Sequence, residues 1–171
     1  MTNLPLALVF LPAADIPRFV AEGNVDLGIT GQDMVQEAGT AVSSAITEEL
    51  PLGFGKCKLQ VQVPENSETI KNVEDLIGKT VATSFDYMSS DYFRKLEQQV
   101  GKTGESGQLA TSIRYLNGSV EAACALGLAD GIVDLVESGE TMRACGLKPI
   151  ATLLESEAVL IRPTKPHSTK S

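Results

Sequence analysis

Apolar residues fall in short runs, and glycine, proline and hydroxyl residues punctuate the spaces between them. Leu6 to Phe10 is a continuous apolar run with the length of a buried strand. Asp15-Ile16-Pro17 then reads as an N-cap with proline in the first turn, opening a helix to about Glu22 that Gly23 stops. Val25 to Thr30 predicts a second strand, and Gly31-Gln32-Asp33 opens another short helix. Alternation of this kind predicts an α/β architecture with parallel strands.

Cys57 to Val63 changes character, because Cys57, Leu59, Val61 and Val63 alternate with Lys58, Gln60 and Gln62. A period of two predicts a half-exposed strand, ended by Pro64 and placed either at a sheet edge or at a crossing between two lobes. Lys79 to Phe85 reads as a strand running into Thr83-Ser84, followed by a helix over Ser90 to Val100. Gly101 to Gly107 predicts a flexible loop, Ser112 to Leu116 a strand, Asn117-Gly118-Ser119 a turn and Val120 to Leu126 a helix. Gly131 to Val136, Pro149 to Leu154 and Ala158 to Arg162 complete the strands, with a frayed end expected after Pro163. Glu22 to Thr30 echoes Leu126 to Asp134: each has glycine at a helix end and aspartate three residues later, as if one αβ unit served two lobes.

The densest chemistry lies between Gly127 and Gly146. Asp130 and Asp134 fall beside and within the apolar run, where a carboxylate is costly unless paired or metal-bound. The turn Glu137-Ser138-Gly139-Glu140-Thr141 follows, and then a segment with helical character. A strand, a small hydroxyl-glycine turn and a helix N-terminus can cradle phosphate on free backbone N–H groups. The same residues also serve as ordinary capping chemistry. In open α/β sheets, ligands gather at the carboxyl ends of strands. Thr30-Gly31, Thr83-Ser84, Gly118-Ser119 and Ser138-Gly139 are all predicted to lie there, which implies a cleft.

Composition narrows the field. At 171 residues the chain suits one average domain or two small lobes, and its 43% hydrophobic and 21% charged content is that of a globular protein. A net charge of −8 argues against nucleic acid and against an anionic membrane surface. No apolar run approaches the roughly 20 residues of a membrane span, and the absence of a basic segment before Phe10 predicts no signal peptide. Cys57, Cys124 and Cys145 are an odd set with no C-x-x-C spacing, so a reducing, cytoplasmic setting is expected. The single histidine, His167, sits in a polar tail, which disfavours zinc sites and Ser-His or Cys-His nucleophilic machinery.

Five motifs appear in order: V-D-L-G-I-T-G-Q-D from Val25, G-K-C-K-L from Gly55, A-T-S-F from Ala82, G-S-V-E from Gly118 and A-D-G-I-V-D-L-V-E-S-G-E-T-M-R-A from Ala129. Together they resemble the catalytic core of the ATP phosphoribosyltransferases, the enzymes that open histidine biosynthesis. A-A-D-I-P near Asp15 and E-S-G-E-T-M-R-A from Glu137 are most similar to the fungal long form. The resemblance covers nearly the whole span from Leu6 to Ile161. It implies a two-lobed fold like that of type II periplasmic binding proteins, with three-layer αβα lobes. Lobe I would take about residues 1–56 and 148–163, lobe II about 57–147, and 164–171 would be a tail. It also implies that an additional N-terminal strand with a basic glycine-containing turn, and a C-terminal regulatory domain, are missing from this chain.

The activity implied is transfer of phosphoribose from phosphoribosyl pyrophosphate to N1 of ATP, with Mg²⁺ present and pyrophosphate released. By that resemblance, Glu137, Ser138, Gly139, Glu140 and Thr141 would hold the 5-phosphate of the donor. Asp130 and Asp134 would be catalytic, by the ribose and the Mg²⁺ ion. Thr30, Gly31, Thr83, Ser84, Gly118, Ser119 and Glu121 would line the cleft. The family resemblance further implies homo-oligomers. A non-catalytic phosphosugar or nucleotide-binding module, or an inactive fragment, is the alternative.

No lysine or arginine lies between Tyr115 and Met142, although Glu121, Asp130, Asp134, Glu137 and Glu140 do. A polyphosphate there must rely on backbone N–H groups and Mg²⁺. Arg143 stands just beyond, either facing phosphate or solvated. Lys56 and Lys58 fit an amphipathic strand or a cleft wall. Cys124 and Cys145 read as small core residues, Met88, Met142 and Phe93 as packing, and Arg18 and Arg94 as solvated helix positions.

Overall fold

Val20, Val35, Val159 and Ile161 are buried together against Ile16, Val25 and Ile46. Ala82, Val120, Ala123, Ile132 and Leu147 form a second cluster, packed by Leu116, Cys124, Ala129 and Met142. The two cores belong to two units: one built from the chain up to Leu52 and from Val159 on, the other from Gly53 to Ala158. The structure is a computed structural model that describes residues 4–165.

In chain order the first elements are α1 (Ile16–Ala21), β1 (Gly28–Gly31), α2 (Gln32–Glu37), α3 (Thr40–Ser43) and β2 (Ile46–Pro51). The second unit holds β3 (Cys57–Pro64), β4 (Thr80–Thr83), α4 (Asp86–Val100), β5 (Ser112–Tyr115), β6 (Gly131–Val136), α5 (Glu140–Ala144) and β7 (Leu147–Ser156). β8 (Ala158–Pro163) then runs into the first unit.

The first unit's sheet has the order β1-β8-β2, with β2 and β8 antiparallel and a register shift between Glu48 and Leu50. The second unit's sheet has the order β5-β4-β6-β3-β7. β4 runs parallel to both β5 and β6, whereas β3 is antiparallel to β6 and β7. The sheet is therefore mixed, and only β5, β4 and β6 follow the parallel pattern expected from the strand-helix alternation.

Several expected elements are corrected. Leu6 to Phe10 is no strand: Leu8 is 77% and Phe10 88% exposed, and no described strand pairs with them. An apolar run becomes a strand only where a neighbouring backbone takes up its hydrogen bonds. β3 is not an edge strand, since β6 and β7 flank it. Of its polar positions Lys58 stays exposed, Gln60 Nε2 donates to Thr152 Oγ1 at 2.9 Å, and only Gln62 is buried, its Nε2 donating to the Asp134 carbonyl at 3.3 Å.

Boundaries shift too. β1 begins at Gly28 rather than Val25, and α4 at Asp86 rather than Ser90. Asp15 does occupy the N-cap of α1, but its carboxylate makes no capping bond. The helix expected over Val120 to Leu126 shrinks to a 3-10 turn, Val120–Ala122. The Gly101–Gly107 segment contains a 3-10 turn, Glu105–Gly107, and is closed by Gly104 N donating to the Gln108 carbonyl. Thr164, expected to be frayed, donates its N–H to the Ala45 carbonyl at 2.8 Å. His167 and most of the predicted tail lie outside the described residues.

Candidate functional site

The registers of the second unit put three turns on one edge. Thr83 lies opposite Tyr115 on β5 and opposite Val133 on β6, so β4 and β5 end at that level while β6 runs on to Val136. Beyond it come Ser84, the Asn117-Gly118-Ser119 turn, and Asp134 leading to the Glu137–Thr141 turn. The sequence-predicted residues Ser84, Gly118, Ser119, Glu121, Asp134, Glu137, Ser138, Gly139, Glu140 and Thr141 thus share one edge, as ligand-binding turns of a parallel sheet do.

Local chemistry shapes each turn. Ser138 Oγ accepts from the Glu140 N–H at 3.4 Å, and Gly139 is left-handed with φ of 78°. A Cβ on Gly139 would stand 2.8 Å from Arg143 Nη1. That arginine folds back from α5, and its Nη2 donates to the Ser138 carbonyl at 3.3 Å. The guanidinium, exposed and without an ion pair among the described residues, is the nearest basic group along the chain to this acidic turn. α5 spans only five residues, so its dipole adds little. Ser119 is left-handed at φ of 51°, an uncommon conformation for a residue with a side chain.

The acids of this edge are largely uncommitted. Glu121, Glu137 and Glu140 make no side-chain hydrogen bond or ion pair among the described residues. Asp134 is half-buried, and its Oδ1 accepts from the Leu135 N–H at 2.8 Å. Burial raises its carboxyl above the usual range, the Leu135 bond opposes that shift, and the negative charge of Glu121 adds to it. Two neighbouring carboxylates without a cation are a donor set that suits Mg²⁺, which commonly takes one or two carboxylates together with substrate phosphate. Among the described residues there is no cluster of three or more metal-ligating side chains.

Asp130 is somewhere else. It immediately precedes β6, level with Thr80 at the start of β4. Its Oδ2 accepts from the Thr80 N–H at 3.0 Å, while its own N–H donates to the Thr80 carbonyl. Four strand residues rise roughly 13 Å, so Asp130 and Asp134 cannot share one ion. The two aspartates expected as a pair are thus separated, and the acidic neighbour of Asp134 is Glu121. Even spacing along the strand hid this, because it reports a shared face and not a shared end. A hollow of about 370 Å³ opens on the Asp130 side, lined in part by Ser67, Thr80, Cys124 and Asp130.

Thr83 was expected to line a cleft, but it is fully buried and its hydroxyl is committed to the Val133 carbonyl and the Phe85 N–H. Thr30 and Gly31 belong to the other unit, at the end of β1. Thr30 is buried, with Oγ1 donating to the Ala13 carbonyl at 3.1 Å, and Gly31 is the N-cap of α2.

Other assignments resolve simply. Lys58 pairs with Glu155 at 2.7 Å on the surface. Phe93 is core, and Arg18 and Arg94 are exposed. Cys124 is half-buried, its thiol pushed up to about 11 by burial and then by Asp130, whereas Cys145 is exposed rather than core. One residue went unread: Glu97, 1% exposed, accepts from the Ala110 N–H, the Thr111 N–H and the Thr111 hydroxyl at 2.7–2.8 Å. A glutamate on an amphipathic helix carries no sequence signal that distinguishes it from a solvated one.

Among the described residues no helix is long and apolar enough to cross a membrane. A family model described as HisG: ATP phosphoribosyltransferase matches residues 12–171. The ATP phosphoribosyltransferase of Saccharomyces cerevisiae is 58% identical over 99% of this chain and 54% of its own length. That of Yarrowia lipolytica is 61% identical over 94% and 51%. The chain therefore spans about half the length of the curated relatives it matches. Among solved structures, the ATP phosphoribosyl transferase (HisG:HisZ) complex from Thermotoga maritima is similar with a TM-score of 0.69 at 21% identity, over 90% of this chain and 66% of that one. A putative L-cystine ABC transporter from Listeria monocytogenes gives 0.60 at 15% identity, over 92% and 64%. At such identities the likeness bears on fold alone, and it bears out the expected α/β class of the periplasmic binding proteins.

Proposed function

Because this chain belongs to the ATP phosphoribosyltransferase family, we propose that it carries the chemistry of that reaction: phosphoribose passes from phosphoribosyl pyrophosphate to N1 of ATP, releasing pyrophosphate, as the first step of histidine biosynthesis. The observation that supports this best is the carboxyl edge of β4, β5 and β6. Its acids Glu121, Glu137 and Glu140 lack side-chain partners among the described residues, and its last turn carries a left-handed glycine.

In this reading the backbone N–H groups of Glu137 to Thr141 receive the 5-phosphate, with Arg143 as the adjacent cation. Asp134 faces the ribose side, and Ser84 and the Gly118-Ser119 turn complete the wall. Asp134 and Glu121 are the acids that would hold Mg²⁺, which when bound supplies positive charge to the departing pyrophosphate. What the protein contributes is position and electrostatics: the adenine nitrogen and the anomeric carbon held in line, with no protein nucleophile required. The substrates are then ATP and phosphoribosyl pyrophosphate. Cytoplasmic location and self-association are part of the same proposal. The net charge of −8 supports neither nucleic-acid nor membrane partners.

Mixing the chain with ATP, phosphoribosyl pyrophosphate and Mg²⁺ should release pyrophosphate, and the absence of turnover at high protein concentration would overturn catalysis by this chain. Calorimetry with ribose 5-phosphate and with AMP separates the two substrate sites. Binding of the former alone would identify a donor-binding module without an acceptor site.

A further inference from the structure

The carboxyl ends of β4 and β5, the middle of β6 and the start of α4 meet at a single residue. The Thr83 carbonyl accepts from the Leu116 N–H at 2.9 Å, joining β4 to the first residue after β5. The Thr83 hydroxyl donates to the Val133 carbonyl at 2.8 Å, joining β4 to β6. The same oxygen accepts from the Phe85 N–H at 2.9 Å and from Ser89 Oγ at 3.4 Å, joining both to α4. One proton and two lone pairs are the whole capacity of a hydroxyl, so Thr83 has nothing left for a ligand.

The geometry explains why a hydroxyl is needed there. The backbone register between β4 and β6 ends at Thr83 opposite Val133, after which β4 turns away into α4 while β6 continues to Val136. The side chain stands in for the next ladder bond. Its neighbours in sequence are the proposed ligand-facing groups: Ser84 follows Thr83, Asp134 follows Val133, and Asn117 to Ser119 follow Leu116.

We propose that Thr83 is a positioning residue of the phosphoribosyl-donor site, setting the spacing among Ser84, the Gly118-Ser119 turn and Asp134 without touching ligand. This rests on the reading of that edge as the donor site. A valine at position 83 keeps the shape but leaves the buried Val133 carbonyl and Phe85 N–H without this partner. Those groups must shift to recover a bond, and displacements near 1 Å suffice to spoil a site of this kind.

Thr111 supplies the control. It is 2% exposed and its Oγ1 donates to Glu97 Oε1 at 2.7 Å, a buried hydroxyl bond just before β5, at the opposite edge of the same sheet. A merely structural role for Thr83 predicts that T83V and T111V behave alike. The test measures binding of ribose 5-phosphate, and of phosphoribosyl pyrophosphate with Mg²⁺, by calorimetry, alongside amide ¹H–¹⁵N spectra, for the wild type, T83V, T83S and T111V.

The expected result is about tenfold weaker binding for T83V, less than about twofold for T111V, and recovery to within about threefold for T83S. The amides of Ser84, Leu135 and Ser138 should shift in T83V and hold in T111V. Equal weakening by T83V and T111V, or none by T83V, overturns the proposal. Should the wild type bind neither ligand, the donor-site reading fails, and the amides decide positioning alone: Leu135 and Ser138 unmoved in T83V would overturn it. If T83V does not fold, Ser89→Ala removes one donor to the same oxygen and is read by the same two amides.

Discussion

Just before β6 and within its second half the same residue type is used in opposite ways. At the amino edge Asp130 accepts from the Thr80 N–H. Nearby acids are spent likewise: Glu97 on Ala110 and Thr111 before β5, and Asp75 on Lys71 and Asn72 before β4. At the carboxyl edge Glu121, Glu137 and Glu140 have no such partners, and Asp134 is half-buried beside Glu121. Acids that complete the scaffold stabilise it; acids left near one another cost stability, which marks them as candidates for a functional site. The comparison separates a structural edge from a chemical one within a single sheet.

The strongest way to sharpen that contrast is Glu97→Ala. It strands two backbone N–H groups and a buried hydroxyl, so stability measured by denaturant unfolding should fall by about 3 kcal/mol, with ribose 5-phosphate affinity unchanged in the folded protein. Next comes Gly139→Ala at the other edge. A Cβ would be forced into a left-handed backbone against Arg143, and a loss of about 2 kcal/mol should appear in thermal melts together with weakened donor binding.

The aspartates themselves should then cross over. Asp134→Asn should cost donor affinity about tenfold with little loss of stability. Asp130→Asn should leave affinity alone and lower stability by about 1 kcal/mol. Equal effects on binding would erase the distinction between the edges.

Ser119→Gly relieves a left-handed residue and should raise stability by about 1 kcal/mol, with donor binding unchanged or weaker. The smallest effect is alkaline and belongs to the amino edge, through Cys124 beside Asp130. Its thiol titrates at about 11 in the fold against an ordinary 9.0, so the folded state holds its proton more tightly than the unfolded chain does. That contribution is complete below pH 9 and is lost as pH rises toward 11, so Cys124→Ala should flatten the decline in stability across that window.

How far the pattern of residues could be read follows from what each signal reports. β4, β5, β6 and β8 were legible because short β-branched runs bounded by turn residues match the strand period locally. The turn Glu137–Thr141 was legible for the same reason, and so was its clustering with Ser84 and Gly118-Ser119, since the edge rule needs only strand direction. Leu6 to Phe10 was misread because apolarity specifies a preference for burial and not a pairing partner. The alternation of β3 was legible for Leu59, Val61 and Val63 against Lys58, but Gln62 is buried as well, because glutamine looks polar in sequence whether it meets water or an interior carbonyl. The surroundings of Asp130 and Thr83 were not legible because the side-chain bonds that occupy them come from residues 50 positions away.

What the sequence by itself determined is therefore the α/β class, the family and the acidic, glycine-hinged turn, all of which follow from local order and residue type. Only the tertiary structure decided which acids are free. Which N–H a carboxylate reaches is set by strand pairing across the sheet: Asp130 takes that of Thr80, 50 positions away, whereas Asp134 takes only that of its own neighbour Leu135. Asp130 thereby ties β6 to β4; Asp134, four residues on, bonds no other strand and has Glu121 as its acidic neighbour.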